Sequence, residues 1–354
     1  MKILQRHIGV TIIMTTLFVL LVLIGLQIFI AFINELGDIG VGNYGLWQAL
    51  QYIILTLPNN IYSFFPMAGL LGSLIGLGYL ASNRELVVMR TSGFSILQII
   101  YAILGAAIIL LIIATFFGEV LGPQANKLAE LKKEYAKTNV QVSTTIHGLW
   151  IKKNNDFIYI QDILSNKQMK NIYKYHFNQD GTLSNISYAK NGLYGKRKWQ
   201  LYHVAMTTLK DNSATSSKLD QQTWNINANL NLLSSSYIDP AEISIVKLDK
   251  IIHFRKSNGL TVQQYSFVFW QRILQPFATL VMIFLAIPFI FGPLRSVTMG
   301  LRILTGISVG FSFYLLNQII GSVSLVYQIP PFLSAICPSI FFLGIGGLLM
   351  HRLK

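Results

Sequence analysis

The stretch Ile8–Asn34 (IGVTIIMTTLFVLLVLIGLQIFIAFIN) holds 27 residues and no charged side chain. At about 1.5 Å per residue, an α-helix of this length extends about 40 Å, more than the ~30 Å hydrocarbon core of a bilayer. The stretch is too long for the apolar region of a signal peptide, and no small-residue cleavage site follows it. It therefore predicts a retained transmembrane helix.

Further apolar regions bring the predicted number of spans to six. Prolines and asparagines divide residues 39–83 into an interfacial segment near 46–57 and a span that follows it. Residues 91–118 and 266–292 predict one span each, and residues 303–350 are long enough for two. Three spans thus precede a polar insert, and three follow it.

The composition supports a membrane protein. Hydrophobic residues make up 53% of the chain and charged residues 12%, whereas soluble domains carry about 25% charged residues. A water-soluble enzyme and a disordered chain are both excluded. The only cysteine, Cys337, leaves no internal disulfide and no cysteine-based metal site.

The positions of Lys and Arg predict the orientation. The short loops near 35–50 and 323–331 hold neither residue type, so the positive-inside rule places both termini in the cytoplasm and the insert on the opposite side of the membrane. The net charge of +14 then reflects membrane orientation plus a basic external domain, and no nucleic-acid partner is expected. The basic residues on the cytoplasmic side are Lys2, Arg6, Arg84, Arg90, Arg295, Arg302, Arg352 and Lys354.

The insert, residues 126–260, predicts an all-β sandwich or jellyroll, between helical regions 1–125 and 261–354. A helix over Leu121–Lys137 leads into it, and Asn178–Gly181 is a hairpin turn signal. Strands are predicted at Asp156–Gln161, Asn171–Phe177, Ile186–Ala189, Trp199–Val204, Thr223–Ala228 and Ile243–Val246.

Signatures of catalysis are weak. Gly306–Gly310 matches G-x-S-x-G, but a nucleophile elbow needs a strand-to-helix turn, and this pentapeptide lies inside a predicted span. Small-residue helix packing is the favoured interpretation, and an intramembrane hydrolase using Ser308 is a distant alternative. The chain has no P-loop and no H-E-x-x-H motif. No catalytic residue, metal site or bound cofactor is predicted.

Two charged residues lie within or beside predicted spans. Arg272 interrupts the fourth span and Glu119 ends the third. Both can be interfacial residues at helix ends, Arg272 can bind an anionic lipid headgroup, or the two can pair with each other. We hypothesise that Arg272 is the main membrane-level lipid contact.

The turn Ala81–Phe94 predicts a short amphipathic helix between two spans. Ser82 or Asn83 can cap this helix, and Gly93 can end it. A structured helix here would suit a protein driven by a separate cytoplasmic motor, although an ordinary inner loop is the alternative. The residues it would present are Arg84, Glu85, Leu86, Val87 and Met89.

Several runs, spread over nearly the whole chain, carry a specific resemblance. The chain resembles the YjgP/YjgQ family, the permease subunits of the Gram-negative lipopolysaccharide exporter. The runs are Phe65–Ala68, Glu85–Met89, Ser92–Phe94, Gly118–Glu119 with Pro123–Gln124, Phe289–Ser296, Thr305–Ser308, Leu325–Tyr327 and Ile329–Pro331.

This resemblance implies an α-helical inner-membrane protein with six transmembrane helices and an all-β periplasmic jellyroll between the third and fourth. It implies ATP-driven extraction of lipopolysaccharide, with LptF as sister permease, a cytoplasmic LptB ATPase dimer and the single-span LptC as partners. The segment near 83–93 would be a coupling helix that contacts the ATPase through Arg84, Glu85, Leu86 and Met89. The alternatives are that the chain is itself the sister permease, LptF, or a membrane-anchored periplasmic scaffold; Phe289–Ser296 argues against the former.

The resemblance also implies a lipid path, although several positions depart from the family pattern. Relatives carry lysines at the outer end of span one, where this chain has Ala31, Gly37 and Asp38. Two arginines of relatives match Glu130 and Lys133. The expected lipid-path residues are Arg272, Glu119, Lys132, Lys133, Phe65 and Met67.

Overall fold

A computed structural model describes residues 2–138, 146–153, 155–164, 168–195, 198–210, 213–224, 240–257, 260–293 and 297–352. The chain forms two compact units. One combines Met1–Lys137 with Gln263–Lys354, and the other is Thr138–Val262. The sequence placed the start of the insert at residue 126, whereas residues 126–137 group with the membrane helices.

The first unit contains the membrane helices. Within the described residues, six helices are long and apolar enough to cross a membrane, which confirms the predicted number: α1 (Lys2–Leu36), α2 (Leu46–Ser82), α4 (Ile96–Phe116), α7 (Gln263–Phe291), α8 (Met299–Tyr327) and α9 (Pro331–His351). Three shorter elements complete this unit: α3 (Glu85–Thr91), a π-helical turn (Phe117–Leu121) and α5 (Gly122–Thr138), the last confirming the helix predicted over Leu121–Lys137.

Helix α2 is central to this unit and packs against α1, α7 and α8. Glycines on α2 allow the close approach. A Cβ atom on Gly72 would lie 2.4 Å from the Cα atom of Thr16, and the hydroxyl of Thr15 donates to the Gly72 carbonyl over 2.8 Å. Small residues are a common basis for helix association in membranes.

The segment predicted near 46–57 and the span predicted after it form one helix. Residues 46–57 continue without interruption into the spanning segment, although Pro58 and Pro66 lie inside the helix. Proline removes one helical hydrogen bond, but neighbouring side chains in a membrane bundle can replace the missing donor. For Pro66 that replacement is visible at the site described below.

The G-x-S-x-G motif lies within α8 and serves helix packing. Gly306 and Gly310 are buried, and a Cβ atom on Gly306 would lie 2.6 Å from Leu71 Cδ2. Ser308 is exposed on the other side of the helix. This geometry favours packing over a nucleophilic role for Ser308.

The second unit contains an antiparallel sheet whose strands pair in chain order. The insert between the third and fourth spans is confirmed, and its sheet fits the predicted jellyroll-like domain. Gly181, with φ +83°, allows the predicted hairpin turn between the third and fourth strands. The strands are β1 (Ile146–Lys153), β2 (Asp156–Leu164), β3 (Gln168–Phe177), β4 (Leu183–Gly195), β5 (Lys198–Lys210) and β6 (Ser213–Trp224).

The two faces of the sheet differ. One face holds the core of the unit, which includes Ile160, Ile172, Ala189, Trp199 and Leu201. The other carries a row of aromatic side chains at directly opposed positions on four adjacent strands. Neighbouring rings in this row have centroids between 4.9 and 6.0 Å apart. The row comprises Trp150, Tyr159, Tyr173 and Tyr188.

The last predicted strand is wrong. Ile245–Ser257 is a helix, α6, preceded by a short 3-10 turn at Pro240–Glu242. The four residues 243–246 are too few to separate a period of 2 from one of 3.6. The buried positions Leu248 and Ile251 extend the pattern with helical spacing. The fifth predicted strand, residues 223–228, overlaps β6 only at Thr223 and Trp224, and residues 225–228 lie outside the described residues.

Substitutions at Gly306 and Ser308 distinguish packing from catalysis. We expect Gly306→Leu to lower the free energy of unfolding by about 1–3 kcal/mol, because the new side chain overpacks the contact with α2. The matched change Ser308→Leu, on the exposed side of the helix, should alter it by less than about 0.5 kcal/mol. Unfolding of the purified protein in detergent measures both values, and equal losses would contradict the packing role.

Candidate functional site

A buried ion pair joins α7 to the π-helical turn. Arg272 Nε lies 3.0 Å from Glu119 Oε1, and their side chains are 6% and 16% exposed. The guanidinium also donates to the Gly118 carbonyl over 3.1 Å and lies 5.8 Å from the centre of the Tyr62 ring. Since an isolated charge inside a membrane is costly, mutual pairing is what allows both residues to be buried.

Near this ion pair, α2 and α7 each contain a proline that leaves one backbone carbonyl without its helical donor. In each case a side chain of the other helix donates to that carbonyl. Pro66 leaves the Tyr62 carbonyl of α2 without its helical donor, and Gln275 Nε2 of α7 donates to it over 3.1 Å. Pro276 leaves the Arg272 carbonyl of α7 without its donor, and the Tyr62 hydroxyl donates to that carbonyl over 3.1 Å. Each helix therefore repairs the proline defect of the other.

The π-helical turn brings its backbone close to α2. A Cβ atom on Gly118 would lie 2.2 Å from the Tyr62 ring, so only glycine fits at this position without displacing α2 or α4. The turn widens the helix locally and places Glu119 toward Arg272. Together, Tyr62, Gly118, Glu119, Arg272 and Gln275 form a junction of three helices, which we call the proline junction.

The geometry around Arg272 bears on the hypothesis that this residue is the main lipid contact, which stays a prediction. Arg272 is buried and paired with Glu119, which is the third of the possibilities that the sequence left open. Phe65 is also buried, in a cluster of α1, α2 and α4 side chains. Met67 is partly buried and packs beside Gly310 of α8. None of the three presents a freely exposed side chain to a lipid.

A second charged cluster lies at the carboxy-terminal end of α1. Glu35 is 7% exposed; it accepts from Lys133 Nζ over 2.7 Å and from the Tyr44 hydroxyl over 2.6 Å. Asp38 pairs with Lys137 over 2.7 Å and with Lys133 over 3.0 Å. The Asn43 amide donates to the Ala136 carbonyl over 2.7 Å. The loop after α1 is therefore fastened to α5.

This cluster affects the protonation of its members. Hydrogen bonds from Lys137 and Lys133 lower the pKa of Asp38, so its contribution to stability is present above the usual carboxyl range and is lost as the pH falls through the lowered pKa. Burial, followed by the hydrogen bond to Glu35, raises the pKa of Tyr44.

The departures from the family pattern have a structural explanation here. The acidic Asp38, one of the positions expected to depart from the family pattern, accepts from two lysines of α5. Lys133 is held by two carboxylates and lies 4.4 Å from the centre of the Tyr52 ring, while Glu130 accepts from the Tyr52 hydroxyl over 2.8 Å. Lys132 is exposed, as are Gly37 and, in part, Ala31. Of the lysines predicted for the lipid path, Lys132 alone is fully exposed.

The predicted short helix is present as α3, and it differs from expectation at its start. Its first residue follows Arg84, whose φ is 60°, and no side chain caps it. The link between α2 and α3 is only two residues long, so the chain reverses through a left-handed residue instead of an extended cap. Gly93, with φ +87°, ends the turn as expected.

The two faces of α3 have opposite surroundings. Leu86 and Met89 are buried in the main core of the membrane unit, together with Ile8 and Ile12 of α1. They cannot contact another protein directly in this conformation, which corrects their predicted place on the contact surface. Val87 and Val88 are 52% and 61% exposed. Arg84 and Arg90 are exposed as well.

Two contacts near α3 were not predicted from the sequence. His7 Nε2 lies 2.8 Å from Glu85 Oε2. Arg302 is 2% exposed and donates from Nη1 to the Gly78 carbonyl over 2.8 Å and to the Ser82 hydroxyl over 3.0 Å. No local pattern marks either pair, because the partners lie 78 and more than 200 residues apart in the chain.

Comparison with known proteins identifies similar chains over the full length. Residues 6–352 match the family described as lipopolysaccharide export system permease LptF/LptG. A protein of Escherichia coli strain K12, named lipopolysaccharide export system permease protein LptG, is 37% identical over 353 residues, covering 99% of this chain and 98% of the relative. A protein of the same name from Haemophilus influenzae is 37% identical over 352 residues, with the same coverage.

Both relatives belong to the LptG branch. This agrees with the sequence of the run Phe289–Ser296, which argued against LptF. Residues 294–296 of this run lie outside the described part of the chain. The LptF alternative is not favoured.

Replacing Arg272 separates a structural role from a lipid-binding one. Arg272→Met removes the guanidinium that pairs with the partly buried Glu119 carboxylate, and should lower the free energy of unfolding by about 3–5 kcal/mol. Adding Glu119→Gln removes the negative charge that Arg272 balanced and should recover part of this loss. Unfolding in detergent measures both, and a fully stable Arg272→Met variant that fails only in transport would support direct lipid contact instead.

Proposed function

We propose that this chain, which belongs to the lipopolysaccharide export system permease family LptF/LptG, is driven by a separate ATPase that docks on α3. The chain is a multi-pass membrane permease of lipopolysaccharide export. It is a transport subunit rather than an enzyme. We propose three further points: the site at which the ATPase docks, the partner subunits, and the orientation of the chain in the inner membrane.

The exposed face of α3 is the observation that carries the proposal. Val87 and Val88 point away from the core beside Glu85 and give this short helix an exposed apolar face next to an acidic side chain. Leu86 and Met89 hold the opposite face against the membrane helices. A force applied to the exposed face would therefore reach the bundle directly.

The positions around α3 support firm attachment to the bundle. Arg302 fixes the last turn of α2 to α8 through Gly78 and Ser82. His7 fixes Glu85 to α1. An ordinary surface loop has no need for a buried arginine and a paired histidine on either side of it.

The proposed orientation puts α3 and both termini in the cytoplasm and the sheet unit in the periplasm. The support comes from the basic residues near α3 and their absence from the opposite short loops. The ATPase, an LptB dimer in the proposal, would then meet α3 on the cytoplasmic side.

The proposal also includes a second permease, LptF, beside this chain. The most apolar window of α2 is 72% buried, whereas those of α1 and α8 are 11% and 17% buried. These two helices are thus largely unpacked within the chain and suit contact with a neighbouring subunit, with LptC and with lipid. A scaffold without a transport path would not need two spans so little supported by their own chain.

Substitution on α3 tests ATPase docking. We expect Glu85→Ala and Val88→Glu each to abolish lipopolysaccharide export and to reduce the ATPase recovered with the permease, because they remove the acidic group or place a charge in the apolar contact. The chain should remain inserted, since neither side chain belongs to its core. Affinity purification from membranes measures the recovered ATPase.

The control is Lys132→Glu, an equally conspicuous change at an exposed helical position outside α3. It should leave ATPase recovery unchanged. Normal export by Glu85→Ala and Val88→Glu would contradict the coupling role of α3 and favour a scaffold.

A further inference from the structure

We infer that α1 is a rigid link that connects α3 to α5, with His7 and Glu35 as the positioning residues at its two ends. This inference rests on the proposed function, because it concerns how movement of α3 reaches the remainder of the permease. It adds a role to α1 beyond membrane anchoring.

The amino-terminal end of α1 is joined to α3 by both polar and apolar contacts. His7 Nε2 lies 2.8 Å from Glu85 Oε2, with side-chain exposures of 50% and 33%. Ile8, the next residue, and Ile12, one turn later, are fully buried in the same cluster as Leu86 and Met89. A shift of α3 therefore displaces this end of α1.

The carboxy-terminal end of α1 is joined to α5 in a similar way. Glu35 is buried and holds Lys133 over 2.7 Å, while the Tyr44 hydroxyl holds its second carboxylate oxygen over 2.6 Å. Asp38, just after the helix, pairs with Lys133 and Lys137. Helix α5 ends at Thr138, the residue at which the chain enters the sheet unit.

The helix between these ends is uninterrupted. It runs from Lys2 to Leu36 without a proline, so His7 and Glu35 lie about 42 Å apart along its axis at about 1.5 Å per residue. Its neighbour α2 carries Pro58 and Pro66 and lacks the corresponding helical donors. Of the two antiparallel helices that connect the ends, α1 is thus the stiffer.

The two pairs therefore act in series along one element. If α1 transmits movement, the release of either end interrupts the same connection, and the release of both adds nothing further. If the two pairs only stabilise the fold, their effects are independent at this separation and combine additively in free energy. This difference separates a positioning role from a structural one.

The experiment uses the complete reconstituted complex in proteoliposomes and measures lipopolysaccharide extracted per ATP hydrolysed. We expect His7→Ala and Glu35→Gln each to lower this ratio about fivefold or more, the lower range of typical coupling between sites. The double variant should be no worse than the lower of the two single variants. Only assembled complexes extract lipopolysaccharide in proportion to the ATP they hydrolyse. The ratio can therefore still be measured for a variant that assembles poorly.

Conservative variants serve as matched controls. His7→Gln keeps a nitrogen donor for Glu85, and Lys133→Arg keeps a cation for Glu35, so both should retain a ratio near that of the parent protein. A double variant whose loss equals the product of the single losses would overturn the inference, as would unchanged ratios in both single variants.

The outcomes also separate this inference from the proposed function. If no ATPase assembles with the parent chain, the docking proposal fails. If the ATPase assembles and hydrolyses ATP normally while His7→Ala and Glu35→Gln export as the parent does, only the role of α1 fails.

Discussion

The membrane unit depends on the requirement that every backbone carbonyl inside a bilayer finds a donor. Pro66 and Pro276 each remove such a donor, one in α2 and one in α7. Gln275 and the Tyr62 hydroxyl supply the replacements across the interface. In this register each of the two proline-containing helices supplies the donor that the other lacks.

The other features of the proline junction follow from that register. Tyr62 must reach α7, and its ring then leaves room only for glycine at position 118. The π-helical turn that contains Gly118 also directs Glu119 toward Arg272. The pair of Arg272 and Glu119, which could have been a ligand site, is thus part of the packing of three helices. The exposed apolar face that the proposal uses lies on α3 instead.

Features with a local periodic signal could be predicted from the sequence. These include the six spans, α3, α5, the hairpin turn at Gly181 and most of the strands. The strand expected at 243–246 failed because four residues cannot separate the two periods. The sequence of α2 could not reveal that Gln275, distant in the chain, compensates for Pro66. The burial of Leu86 and Met89 depends on α1, so the sequence of α3 alone could not reveal which of its faces is exposed.

Contacts between charged side chains were the least predictable part. The sequence left pairing of Arg272 with Glu119 as one of three possibilities, and it gave no indication that Glu35 holds Lys133. The same holds for His7 and Glu85, which meet only because α1 and α3 pack together. Lys133 and Lys137, although basic, are therefore less available to an anionic lipid near the membrane helices, since both are paired with carboxylates.

The central claim is that α3 has one face for its own chain and one face for an ATPase. A photo-reactive side chain placed singly at position 88, and in separate proteins at positions 86 and 89, tests this claim in the assembled exporter. Because position 88 lies on the exposed face of α3, we expect it to cross-link to the ATPase. Positions 86 and 89 lie on the buried face, and we expect them to cross-link within the permease. Labelling of the ATPase from position 86 or 89, or its absence from position 88 in a complex that hydrolyses ATP and exports lipopolysaccharide, would contradict the account.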